Sequence, residues 1–300
     1  MSPEIKRSGY VALVGRPNVG KSTLMNRILG QKLSITSRRP QTTRHRILGI
    51  HTHDDVQTVY VDTPGIHRSR NTAMNRYMNR AATTTLNDVD VVLFVVEGTR
   101  WTDEDDDVLA RLAELSIPVV VAINKVDLVK DKSELLPVMQ KLGEKLGTEK
   151  LIPLSAENGE NVSALQTVIE SLLPEGMQFY PDDQITDRSE RFIAAEIIRE
   201  KLTRQLGKEL PYALTVEIQE FKREKELLNI AAIVFVERPG QKAIVIGKNG
   251  SMLKKIGKQA RLDMEAYFDM HVYLNLWVKI REGWSDDERA LRSLGYSDEL

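Results

Sequence analysis

Residues 15–22 read Gly-Arg-Pro-Asn-Val-Gly-Lys-Ser, and this spacing of two glycines, a lysine and a hydroxyl limits the possible folds more than any other feature of the chain. It fits G-x-x-x-x-G-K-[ST] at every fixed position. A random chain of this length would show such a match about once in a hundred. The motif works only where a strand delivers the loop and a helix begins directly after it. Both are written around it. Residues 10–14 form an apolar run, and Leu24, Met25, Ile28 and Leu29 recur at helical spacing until Gly30. In such a loop the backbone N–H groups turn toward phosphate oxygens and the helix start adds partial positive charge. Lys21 then reaches the β- and γ-phosphates, and the Ser22 hydroxyl ligates Mg²⁺. Gly15, Arg16, Pro17, Asn18, Val19, Gly20, Lys21 and Ser22 are therefore the candidate phosphate site.

The same alternation continues downstream. Apolar, mostly β-branched runs at 59–61, 89–96, 118–123 and 151–154 alternate with helical patterns such as Met74, Tyr77, Met78 and Ala81. Thr102 ahead of the acidic run 103–107 reads as a helix start, with carboxylates on the positive end of the dipole. This order predicts an α/β domain, doubly wound around a mostly parallel sheet, over residues 1–174. A helical pattern from Asn161 stops at Leu173-Pro174, and 175–187 is turn-rich without a period, which predicts a linker. From residue 188 the order becomes helix, two strands, two helices and a strand. The expectation is a smaller α+β domain over 188–283, followed by a tail, 284–300.

Three further motifs fall after strand-like runs. Asp62, Thr63, Pro64 and Gly65 follow 59–61; there Asp62 can hold Mg²⁺ through water and Gly65 can offer its N–H to a γ-phosphate. Alone, such a tetrapeptide is an ordinary turn. Asn124, Lys125, Val126 and Asp127 follow 118–123, and Ser155-Ala156 follow 151–154. A carboxylate at Asp127 can accept from N1–H and the 2-amino group of guanine, a donor pair adenine lacks. Asn124 can tie loops together, and the stem of Lys125 can lie on the base. Together the motifs specify GTP or GDP as the ligand.

Between the phosphate loop and Asp62, residues 31–50 carry Lys32, Arg38, Arg39, Arg44 and Arg46 and no acid. A threonine here can complete the Mg²⁺ sphere when a γ-phosphate is present, so the segment can order on GTP. The residues favour Thr43 over Thr42 without deciding between them; a solvated basic loop is the alternative. Lys21, Thr43, Gly65 and Asn18 are the catalytic candidates, and Ser22, Thr43 and Asp62 the metal-ligating ones.

In the second domain, Gly247, Lys248, Asn249 and Gly250 form a G-x-x-G between two helical patterns. Residues 241–262 hold six basic residues, including Lys254, Lys255 and Lys258, and no acid. In an αββααβ order this is the pattern of a KH module, whose loop clamps the backbone of a single-stranded RNA.

Composition excludes other classes. With 42 basic and 43 acidic residues, no global basic coat exists, only a local basic face. The chain has no cysteine, which removes disulfides, thiolate nucleophiles and Cys-ligated metals, and fits a reducing compartment. No apolar run reaches the ~20 residues of a membrane span, and the start, Met-Ser-Pro-Glu-Ile-Lys-Arg, lacks the apolar core of a signal peptide. A cytoplasmic protein is expected.

Taken together, the chain resembles the Era family of bacterial Ras-like GTPases. The resemblance rests on GRPNVGKS, QTTRHR, DTPG, FVVEGTRW at 94–101, NKVD, the Ser-Ala pair, IGKNG and the closing run from Trp284 to Tyr296. It implies a P-loop GTPase domain joined to a KH domain, GTP hydrolysis to GDP and phosphate, and Mg²⁺ as cofactor. It further implies binding near the 3′ end of small-subunit ribosomal RNA in assembly of the 30S subunit, peripheral contact with the inner membrane, and a monomer. Ile66 stands where Ras-like enzymes usually carry a water-orienting glutamine. Asn18 matches an asparagine that in related GTPases helps coordinate a monovalent cation, so K⁺ is a further expectation; the alternative is that Asn18 only shapes the loop. A non-catalytic KH protein using GTP as a structural ligand is the competing expectation for the whole chain.

Overall fold

The computed structural model describes residues 5–37, 42–64, 72–98, 100–207 and 210–296. The chain divides into two units, one made of Met1–Ser34, Thr43–Ser69 and Met78–Asp187, the other of Ile35–Thr42, Arg70–Tyr77 and Arg188–Leu300.

The first unit is built on a six-stranded sheet: β1 (Arg7–Val14), β2 (Ile47–His53), β3 (Val56–Asp62), β4 (Val91–Glu97), β5 (Val119–Asn124) and β6 (Leu151–Pro153), in the order β2-β3-β1-β4-β5-β6. All neighbours pair parallel except β2 with β3. The central strands are buried on both faces; Val91, Val92, Leu93, Phe94 and Val95 are each 0% exposed. Such continuous apolar runs suit a sheet covered by helices on either side. Burying each of these side chains contributes about 1.5–3 kcal/mol before entropy is counted. The helices wholly within this unit are α1 (Lys21–Leu29), α3 (Asp103–Leu112), α4 (Leu135–Leu146) and α5 (Val162–Leu172), and it also holds residues 78–84 of α2 (Ala73–Thr84).

β1 sits between β3 and β4, so the connections leave it toward opposite edges. This is the topological switch point where doubly wound sheets open a crevice at the strand carboxyl ends. The segments after β1, β3, β4, β5 and β6 all emerge at that end. β2 was not expected; the basic stretch that hides it ends in Ile47, Leu48, Gly49 and Ile50, all buried against the sheet. A tight turn with Asp54 at φ 51° joins it to β3, a conformation aspartate tolerates.

The expected linker packs on this unit. Gln57 donates to the Tyr180 carbonyl (2.8 Å) and accepts from the N–H groups of Phe179 (2.8 Å) and Tyr180 (2.9 Å). Phe179 also meets the Tyr10 ring with centroids 5.1 Å apart.

The second unit runs α6 (Glu190–Gln205), β7 (Leu214–Glu224), β8 (Leu227–Val236), α7 (Pro239–Ile246), α8 (Ser251–Phe268), β9 (His271–Ile280) and α9 (Glu288–Ser293). β7 and β8 are antiparallel, β8 and β9 parallel. This is the α+β order predicted. α6 is buried on most sides rather than along one stripe, and two of its buried charges pair with each other: Arg199 donates to both carboxylate oxygens of Glu196 at 2.7 and 2.6 Å. The closing segment belongs to the core of this unit. Trp284 is 0% exposed and stacks on Tyr296 (6.2 Å), whose hydroxyl lies 3.0 Å from that of Thr215.

Candidate nucleotide site and nucleic-acid interface

The loop 15–22 connects β1 to α1, and its glycines are demanded by crowding. A Cβ on Gly20, whose φ is +105°, would lie 2.2 Å from Nδ2 of Asn124. Lys21 is buried inside the loop, donating to the carbonyls of Gly15 (2.8 Å) and Arg16 (3.0 Å). Burial lowers its ammonium to about 8, with Asp62 pulling the other way. Asn18 takes a left-handed backbone, φ 65°.

Three oxygens converge beside Lys21. The Ser22 hydroxyl donates to Asp62 Oδ2 at 2.7 Å and lies 3.0 Å from the Thr43 hydroxyl, which itself reaches Asp62 Oδ2 at 3.3 Å. Asp62 is fully buried and its Oδ1 makes no hydrogen bond among the described residues. Burial pushes its carboxyl up, against the pull of Lys21 and the Ser22 hydroxyl. Two hydroxyls and one orphaned carboxylate oxygen are hard donors, the set an octahedral divalent ion accepts alongside phosphate and water. Thr63 caps the arrangement by donating to the Leu13 carbonyl at 3.0 Å. Pro64 ends the described part of this turn; Gly65 and Ile66 lie outside the described residues.

Asn124 ends β5 and is 2% exposed. Its Nδ2 donates to the Val19 carbonyl (2.7 Å) and its Oδ1 accepts from Ala156 N–H (2.9 Å), which ties the loops after β1, β5 and β6 together. Lys125 has φ 66°, Val126 is buried, and Asp127 is exposed, open to a ligand. Ser155 is buried, its hydroxyl accepting from Asn158 N–H at 3.1 Å. Arg27, Glu97 and Asp105, which the motifs did not single out, complete the frame. Arg27 donates to the Ala156 carbonyl (3.1 Å) and to that of Glu157. Glu97 and Asp105 accept from Arg16 of the phosphate loop. Only the placement of Glu97 at a strand end, inside the run 94–101, hinted at it.

In the second unit, Gly247 ends α7 with φ 73°, and 248–250 make one short turn in which Asn249 has φ 52° before α8 begins. Lys248 and Asn249 on the turn, and Lys254, Lys255 and Lys258 on α8, are exposed. A basic helix face thus follows directly on a tight, glycine-bounded turn, an arrangement suited to a phosphodiester chain.

A doubly wound sheet with a phosphate loop at its switch point, followed by an α+β unit with a G-x-x-G turn, defines a GTPase joined to a KH domain. Family models agree: "50S ribosome-binding GTPase" matches residues 10–125 and "KH domain" matches 209–285. GTPase Era of Pseudomonas aeruginosa PAO1 is 59% identical over 99% of this chain and 97% of its own length. That of Pseudomonas putida KT2440 is 60% identical over 97% of both. A solved Era in complex with MgGDPNP and nucleotides 1506–1542 of 16S ribosomal RNA superposes with TM-score 0.94 at 38% identity, covering 97% of this chain and 99% of that one. Aquifex aeolicus Era bound to GDP and AlF4⁻ does so with TM-score 0.93 and the same coverage. The chain belongs to the Era family of GTPases.

Proposed function

We propose that the chain is a GTP-hydrolysing switch that binds small-subunit ribosomal RNA near its 3′ end and acts in assembly of the 30S subunit. The observation that carries the nucleotide half is the meeting of Ser22, Thr43 and Asp62 beside buried Lys21. In this reading a β,γ-phosphate takes over the Lys21 donors now spent on Gly15 and Arg16. Mg²⁺, when bound through Ser22, Thr43 and Asp62, neutralises charge on the phosphates. Thr43 meets it only in the GTP state, so the basic segment around it reports the γ-phosphate. Asp127 reads guanine, with Lys125, Val126, Ser155 and Ala156 around the base. Gly65 would hold the γ-phosphate. Asn18, whose backbone is left-handed, would in the same reading help place a potassium ion against the phosphates, supplying the charge an arginine finger gives elsewhere.

Gly247 to Gly250, with Lys254, Lys255 and Lys258, clamp the RNA backbone. The Era complex with a 16S ribosomal RNA fragment supports this assignment by similarity. A cytoplasmic location with peripheral inner-membrane contact, and a monomeric state, belong to the same proposal. No helix among the described residues is long and apolar enough to cross a membrane.

The test is crosslinking of the full chain to RNA with GTP or GDP present, followed by sequencing of the bound fragments. Enrichment of the small-subunit 3′ region, stronger with GTP, is expected. Equal recovery of unrelated RNA in both states would contradict it.

A further inference from the structure

The end of β4 carries a carboxylate whose two oxygens serve two different loops. Glu97 Oε2 accepts from Arg16 Nη2 at 2.6 Å, and Oε1 lies 3.2 Å from Lys125 Nζ. Arg16 is in the phosphate loop; Lys125 is in the segment 124–127. The β4–β5 register puts Glu97 opposite Asn124, and the N–H of Gly98 donates to the Asn124 carbonyl at 2.7 Å, so the end of β4 is fixed relative to the segment 124–127. Arg16 is anchored on its other side. Its Nε donates to Asp105 Oδ2 at 3.1 Å, and the same oxygen accepts from the N–H and hydroxyl of Thr102, both 2.9 Å, at the start of α3. Asp105 is 0% exposed and Arg16 7%. Burial opposes the charge on Glu97, but the Arg16 hydrogen bond and the Lys125 ammonium hold its carboxyl below the ordinary range.

We propose that Glu97 is a positioning residue that locks the phosphate-binding loop to the guanine-reading loop through Arg16 and Lys125. Its two oxygens are engaged by Arg16 and Lys125. It makes the two half-sites act as one, so that ordering of the first loop by phosphates prepays the ordering of the second around the base. The chemistry explains why a carboxylate is needed. Two cations from opposite sides each require an acceptor oxygen, and an amide would turn a donor toward one of them. The inference rests on the reading of 15–22 and 124–127 as one guanine-nucleotide site.

The experiment measures binding of GDP and of inorganic pyrophosphate to the full chain. Pyrophosphate engages the phosphate loop alone, whereas GDP engages both loops. Glu97→Gln is expected to weaken GDP about tenfold, with pyrophosphate affinity held within about twofold. Equal losses for both ligands would mean that Glu97 merely supports the fold, and an unchanged GDP affinity would also overturn the proposal. A second measurement does not depend on that variant alone. Arg16→Met and Lys125→Met should be non-additive toward GDP when Glu97 is present, by about fivefold or more. They should be additive when Glu97→Gln is added. Additivity in both backgrounds would overturn the lock. Failure of the unaltered chain to bind GDP would instead sink the nucleotide-site reading itself, a distinguishable result.

Discussion

The side chain of Asn124 donates to the backbone carbonyl of Val19, 105 residues earlier, at 2.7 Å. One buried amide thereby sets the distance between the start of the phosphate loop's helix and the end of β5, while its oxygen holds Ala156. Asn124→Ala leaves both partners unpaired in a dry site, at a cost of about 1–3 kcal/mol. We expect GDP affinity to fall about tenfold or more, measured by fluorescent-nucleotide titration. Parental affinity in the variant would refute the tie.

Base choice should follow Asp127. Its exposed carboxylate is placed by the left-handed turn at Lys125 and the buried Val126. Asp127→Asn exchanges an acceptor for a donor, so the site should prefer xanthosine over guanosine triphosphate. Discrimination on the order of 10²-fold is expected where buried hydrogen bonds go unmade. Competition binding reads it directly; retained selectivity for GTP would contradict the assignment.

Lys21 gives a pH signature. With its ammonium lowered to about 8 by burial, the nucleotide-free chain loses that charge above this pH. Phosphate binding favours the charged form, so GDP affinity should be level below about 8 and decline above it, by up to tenfold per pH unit. For stability the sign is opposite. Between about 8 and the ordinary 10.5 the unfolded chain binds more protons at this residue, so its contribution to nucleotide-free stability rises with pH across that window. Affinity level to pH 9.5 would show that Lys21 stays charged throughout.

These loops are legible in the sequence because phosphate and base recognition demand fixed residue types at fixed spacing, and because each motif follows a run readable as a strand. What was not legible depends on partners far along the chain. β2 becomes a strand only by pairing with β3; its own residues sit at the end of a basic stretch. α4 is hidden by Pro137 and Gly143. Pro137 falls in the first turn, where a missing N–H costs nothing. The split carboxylate of Glu97 joins residues brought together by strand order alone. The burial of Trp284 and Tyr296 follows from ring stacking that no periodicity announces.

The RNA half is probed at Gly250. Its φ is +75°, and no atom lies within 4 Å of where a Cβ would stand, so Gly250→Asp adds charge and local strain without a clash. The charge would face the phosphodiester beside Lys248 and Lys254. RNA retention on a filter should be lost while GDP binding persists. Joint loss of both would show that the substitution unfolds the chain, and retained RNA binding would remove the turn from the interface.

The most direct measurement is release of inorganic phosphate by the full chain from GTP and from ATP, with and without the 3′-terminal small-subunit ribosomal RNA. Unassisted Ras-type turnover is on the order of 10⁻⁴ s⁻¹, so long time courses at saturating nucleotide are needed. The account predicts slow release from GTP and none from ATP. Release from ATP at the same rate, or none from GTP in any condition, would contradict it.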